Sequence, residues 1–180
     1  LGTMIAFAIG RHKFKGRSTS NLLIFLPMAT PEIVLGASLL SLFLVFKINP
    51  GFWPTVIAHV MFCISFVVVT VKARIASLDP RLEQAAMDLY ANEFQTFRRV
   101  TLPLVAPGIA GAALLAFSLS FDDFIITNFN SGTVTTFPKF VYTAAARGIP
   151  AQANVIGSGM FFLALAIVIA GQFVNRRKAR

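Results

Sequence analysis

The chain has 180 residues, of which 56% are apolar and 13% charged, with 19 phenylalanines and a mean hydropathy of +0.75. Soluble domains carry roughly 45–50% apolar and about 25% charged residues, so these figures exclude a disordered chain and most soluble single domains. One cysteine, Cys63, excludes an intrachain disulfide or a zinc cluster, and the net charge of +9 reads as the basic flanks of hydrophobic spans rather than a nucleic-acid surface.

The apolar residues gather in runs of about 20, the length that crosses a hydrocarbon core about 30 Å thick. Leu1–Gly10 is too short to span and has no basic leader before it, so it does not resemble a signal peptide. It reads as the end of a span, with earlier spans expected upstream. Leu22–Phe46 follows, carrying Pro27 and Pro31, then Phe52–Val71, Leu102–Thr127 and Val155–Val174. The expectation is an all-α polytopic transmembrane bundle forming one domain over 1–180. An isolated segment in lipid must satisfy its own backbone hydrogen bonds, and these runs lack the alternation of barrel strands. Gly108, Gly111, Ala112, Ala116, Gly157 and Gly159 are small enough to permit close helix packing.

Positive charge tests the order of spans. Arg11, Lys13, Lys15 and Arg17 fall in the connector 11–21. Lys72, Arg74, Arg81, Arg98 and Arg99 fall in 72–101, and Arg176, Arg177, Lys178 and Arg180 in the tail. Thirteen of the 16 basic residues thus lie on one face if four spans follow Arg11, and the positive-inside rule makes that face cytoplasmic. The other connectors hold only Lys47, Lys139 and Arg147.

The connector 72–101 is not a random linker. Asp79-Pro80 offers an N-cap followed by proline at the first helical position, and Glu83 lies in the first turn, where a negative charge suits the helix dipole. Leu82, Ala85, Ala86 and Leu89 recur at helical spacing, Tyr90, Phe94 and Phe97 continue an apolar stripe, and Asp79, Glu83, Asp88 and Glu93 are expected to be solvated or docked. Pro103 and Pro107 mark the return to the membrane. Such an amphipathic helix either lies on the membrane or its own bundle, or docks into a groove on a cytoplasmic partner. Spacing leaves both open.

The stretch Leu82-Glu83-Gln84-Ala85-Ala86-Met87-Asp88-Leu89-Tyr90-Ala91, followed by Val100-Thr101-Leu102-Pro103, resembles the EAA loop of ABC-importer permeases. The resemblance implies a type I importer permease fold and a coupling helix that inserts into an ATP-binding subunit through Gln84, Ala85, Ala86, Asp88, Leu89, Tyr90, Ala91 and Phe94. Gln84 stands where the family usually has Glu, and Tyr90 where it usually has Gly. Gln84 can hydrogen-bond but cannot form a salt bridge, and Tyr90 needs more room. Pro31-Glu32-Ile33-Val34, Phe66–Val71 and Ser118–Phe124 are similar to permeases of spermidine/putrescine importers. The likeness implies six spans, so the first and most of the second are expected upstream. It also implies a second permease subunit, two ATPase subunits carrying ATP and magnesium, and an extracytoplasmic solute-binding protein. The embedded chain itself contacts membrane lipid.

Seven acidic residues occur, and only Glu32, Asp122 and Asp123 lie outside the coupling loop. Ionisable residues within spans are functional candidates by default. Asp122 and Asp123 lie about 30 Å along a helix from Leu102 at 1.5 Å per residue, near the outer end. Neighbouring residues point about 100° apart, so one can meet a solute while the other caps or pairs. A polyamine path needs carboxylates or aromatic faces, for which Phe121, Phe124 and Phe129 are at hand; alternatively, the acidic pair simply ends the span in interfacial water. Glu32 is open to pore lining or to a pair with His59 or a backbone group, and His59 reads as a packed histidine. The outer connector 128–154, with a short helix expected at Phe137–Arg147, is either a plain surface loop or, by the resemblance, a docking surface for the binding protein. No phosphate-binding P-loop, zinc-protease or hydrolase motif occurs, so no cofactor is expected on this chain. Import of another solute, a secondary transporter and a membrane enzyme remain as alternatives.

Overall fold

Two compact units, Leu1–Thr136 and Phe137–Arg180, make up the computed structural model. It describes residues 1–12, 14–145, 148 and 151–178, without the side chains of 170 and 172–178. Lys13, Arg147 and Arg180 of the basic set, and the Arg147 end of the expected outer helix, lie outside the described residues. Among the described residues every regular element is helical.

The first unit contains α1 (Gly2–Arg11), α2 (Arg17–Ala29), α3 (Glu32–Val45), α4 (Phe52–Ala76), α5 (Arg81–Asp88) and α6 (Glu93–Thr96). A π-helical turn (Phe97–Thr101), α7 (Leu102–Asp122) and α8 (Ile125–Asn130) complete it. The second unit contains α9 (Phe137–Ala145) and α10 (Ala151–Lys178). Among the described residues three helical stretches are long and apolar enough to cross a membrane: α4, the continuous run Glu93–Asp122, and Ala151–Ile169.

The apolar run 22–46, expected as one span, is two helices bent by 108°, the geometry of a broken span or of a re-entrant loop. The break falls at Thr30-Pro31. Proline lacks an N–H and disfavours helical backbone in the residue before it, and Thr30 is extended, with φ −83° and ψ 131°. Pro27 is tolerated inside α2. The run 102–127 also divides, because α7 stops at Asp122 and α8 starts at Ile125. At its other end the helix begins at Glu93, so Pro103 and Pro107 sit within a continuous helical stretch rather than at a turn.

The helix α4 is the centre of the first unit, packing against α1, α2, α7 and α8. One core cluster joins Ala6, Val68, Val71, Ile75, Val105 and Ala112. A second joins Leu39, Phe43, Ala58, Phe62, Cys63 and Ile126. Of the small residues, Gly108 has a specific reason: a Cβ there would lie 2.6 Å from Arg74 Cγ. The Arg74 side chain lies across α7 at that point and donates from Nε to the Leu104 carbonyl at 3.0 Å. Gly111 and Gly159 face open space, so close packing is not their role in the described structure.

Candidate functional site

At the end of α7 two adjacent carboxylates have separate fates. The backbone turns extended at Asp123, with φ −65° and ψ 116°, which sends its side chain toward the start of α8. There Asp123 accepts from the Ile126 amide at 3.2 Å, the Thr127 amide at 2.8 Å and the Thr127 hydroxyl at 3.1 Å. These are orphan donors of a helix start, and a side-chain acceptor satisfies them. His59 of α4 completes the cluster. Its Nε2 lies 3.3 Å from Asp123 Oδ2 and 2.8 Å from Thr127 Oγ1, and its Nδ1 lies 2.7 Å from Ser120 Oγ. Asp123 is 8% exposed and Thr127 fully buried.

The far end of α8 is held as firmly. The Asn130 side-chain amide donates to the Gly36 carbonyl of α3 at 3.3 Å and to the Ile126 carbonyl at 2.9 Å. The Asn130 carbonyl accepts from the Gly51 amide at 2.9 Å. Gly36 leaves room for α8 to approach α3, since a Cβ there would lie 3.0 Å from the Phe129 ring. A short helix is thus fixed between α3 and α4 by polar side chains.

Asp122 is exposed, and its carboxylate makes no hydrogen bond or ion pair among the described residues. Phe121 stacks on Phe117, with centroids 5.8 Å apart and planes at 18°; Phe121 and Phe124 are half-buried. Glu32 is exposed in the first turn of α3, just past the bend. His59 pairs with Asp123 rather than with Glu32.

The second group of candidates lies on α5 and the turn after it. Gln84, Ala85 and Asp88 are exposed, Ala86 and Ala91 half-buried. Leu89, Tyr90 and Phe94 are 81%, 98% and 69% exposed, and α5 has no buried residue. Tyr90 takes φ +64°, the left-handed region where glycine carries no penalty. That is the physical demand at this position, and here a tyrosine meets it. Asn92 and Gln95 form a reciprocal capping box at 2.8 and 3.1 Å, which starts α6. Asp79 accepts from the Arg81 amide at 2.9 Å, with Pro80 in the capping position.

Glu83, expected to be solvated or docked, turns inward instead. Its carboxylate receives both terminal nitrogens of Arg11 at 2.7 and 2.8 Å and the Thr101 hydroxyl. Phe7 and Phe97 meet edge-on beside it at 5.3 Å. Sequence reasoning missed this joint and the His59–Asp123–Thr127 cluster, because their partners are separated by 72 and 68 residues. No group of His, Cys, Asp and Glu among the described residues could hold a metal ion.

Long apolar helices, a polar lock at one end of α7 and an exposed amphipathic segment before the other are features of a helical membrane protein. Residues 2–177 match the family of binding-protein-dependent transport system inner membrane components, and the chain belongs to that family. It is therefore a permease subunit of a multi-component transport system rather than an enzyme. It is 36% identical over 181 residues to the spermidine/putrescine transport system permease protein PotC of Escherichia coli K12, spanning 100% of this chain and 69% of that protein. It is 36% identical over 167 residues to the putrescine transport system permease protein PotI of the same strain, spanning 88% and 59%. The PotC homolog of Mycoplasma genitalium is 31% identical over 169 residues, spanning 92% and 59%. A crystal structure of a bacterial ABC transporter involved in the import of the acidic polysaccharide alginate superimposes with a TM-score of 0.68 at 18% identity, covering 98% of this chain and 71% of that one. The chain thus has the fold of an ABC-importer permease.

Proposed function

We propose that this permease serves an ATP-driven importer of polyamines, of the spermidine and putrescine class. The observation that carries the reading is the 36% identity that runs through the whole chain to a spermidine/putrescine permease. The connectors 11–21 and 72–101 and the C-terminal tail face the cytoplasm, as the distribution of basic residues supports. A second permease subunit completes the pathway, and an extracytoplasmic binding protein delivers the solute. Two ATPase subunits hold ATP and magnesium and engage Gln84–Ala91 and Phe94, whose exposure supports docking there. ATP-driven closure pushes on α5, and the bundle alternates between faces by rigid-body motion.

Along the pathway Asp122 supplies the charge that meets an ammonium group, with Phe121 and Phe124 as aromatic walls and Glu32 as a second carboxylate. Asp123 acts on the path indirectly, by holding α8 in place. Uptake of labelled spermidine and putrescine in cells lacking the full-length gene and redundant importers tests this. Wild type restores uptake, Asp122→Asn lowers it at least several-fold, and Asp123→Asn lowers it together with stability. Polyamine uptake that survives deletion of the gene refutes the solute assignment.

A further inference from the structure

Glu83 is attached to the transport cycle in a way that exposure alone does not reveal. Its carboxylate sits where three elements meet: α5, which carries it; α1, which ends in Arg11; and the π-helical turn, which ends in Thr101 and runs into α7. Both of its oxygens are engaged, Oε2 by Arg11 and Oε1 by Arg11 and Thr101. A bidentate arginine–carboxylate pair fixes orientation as well as distance. The pair is about one-quarter exposed. Two parallel bonds hold α5 to the end of α1 in one orientation.

The rest of α5 is poorly anchored to its own chain. It buries no residue, and a cleft of about 450 Å³, lined in part by Phe7, Met87, Glu93 and Thr96, opens beside the ion pair. The joint is therefore a polar strut beside open space rather than a packed interface. A displacement of α5 has few other routes into the bundle. The π-helical turn adds to this, since such turns interrupt the regular ladder and cluster at functional positions. Thr101 closes that turn, so the strut grips α7 at its irregular start.

We infer that Glu83 is a force-transmitting positioning residue: through Arg11 and Thr101 it makes α1, α5 and the start of α7 move as one body. The inference rests on the transport reading above, in that it needs an ATPase to push on α5. The test uses the full-length permease assembled with its ATPase and second permease in proteoliposomes. Solute uptake and ATP hydrolysis are measured together. Spin labels at Arg81→Cys and Met4→Cys, in a Cys63→Ser background, report the distance between α5 and α1.

In the parent complex that distance is the same without nucleotide and after vanadate trapping. In Glu83→Ala it changes on trapping, ATPase co-purification and hydrolysis persist, and polyamine moved per ATP falls roughly five- to tenfold, the range expected when a coupling route is lost. Glu83→Gln and Thr101→Val fall between. The exchange Arg11→Glu with Glu83→Arg recovers part of the ratio, which a merely structural loss does not allow. An unchanged uptake-to-hydrolysis ratio in Glu83→Ala overturns the inference. So does loss of ATPase binding in its place, which makes Glu83 a docking residue. A parent complex that hydrolyses ATP without moving polyamine refutes the solute reading alone, and the label distances still decide the joint.

Discussion

Replacing Asp123 with alanine removes the carboxylate met by the Ile126 amide, the Thr127 amide, the Thr127 hydroxyl and His59 Nε2. The hydroxyl keeps His59 as a partner at 2.8 Å, so the two amides carry the loss. A buried donor left unmade costs about 1–3 kcal/mol, and a lost helix cap costs about 0.5–2 kcal/mol. These are two descriptions of the same amides, so a total near 3 kcal/mol is expected for Asp123→Ala. At this chain length that lowers the unfolding midpoint by roughly 6–12 °C. Asp123→Asn keeps one carbonyl acceptor and loses about half as much. Asp122→Ala, at an exposed and unpaired position, stays within about 0.5 kcal/mol of the parent. The assay is thermal unfolding of the full-length permease in one detergent, followed by the fraction that remains monodisperse. An Asp123→Ala midpoint within 2 °C of the parent, or an equal loss in Asp122→Ala, refutes the assignment of Asp123 to the start of α8.

Gly108→Ala places a methyl group 2.6 Å from Arg74 Cγ; because the clash is near the backbone end of the side chain, α4 and α7 must separate, at about 1–3 kcal/mol, read as a lower midpoint in the same assay. Tyr90→Gly relieves the positive φ of +64° and raises stability by about 1 kcal/mol; co-purification of the ATPase subunit then shows whether the exposed ring also contributes to docking. Sidedness follows from labelling single cysteines in a Cys63→Ser background: Gln84→Cys reacts with an impermeant maleimide only in inside-out vesicles, and Asp122→Cys only from the outside. The opposite pattern reverses the orientation drawn from the basic residues.

Much of the function was legible in order along the chain. The Gln84-Ala85-Ala86 segment and its Val100–Pro103 continuation are read within some 20 residues, and they carry the resemblance to the EAA loop without any fold. Membrane length, helical class and charge asymmetry are likewise local quantities, set by composition over a window. The roles of Asp122 and Asp123 were legible only as a pair. That two adjacent side chains on a helix diverge is elementary geometry, but which of them turns inward depends on where α7 ends, and it ends at Asp122 because the buried amides of α8 need an acceptor. The break at Thr30-Pro31 shows the limit from the other side. Two prolines lie four residues apart, and only one interrupts the helix.

By itself the sequence determined that the chain is a helical membrane protein with an amphipathic segment in the connector 72–101. Hydrophobic run length and helical periodicity need no partner to be expressed. Tertiary structure alone decided that Glu83 faces inward to Arg11 and Thr101, that His59 joins Asp123, and that Asn130 reaches Gly36 across 94 residues. These are hydrogen bonds between elements far apart in the chain. Their existence depends on how α4 packs against its neighbours, because a buried polar group takes whichever partner the packing brings within about 3 Å.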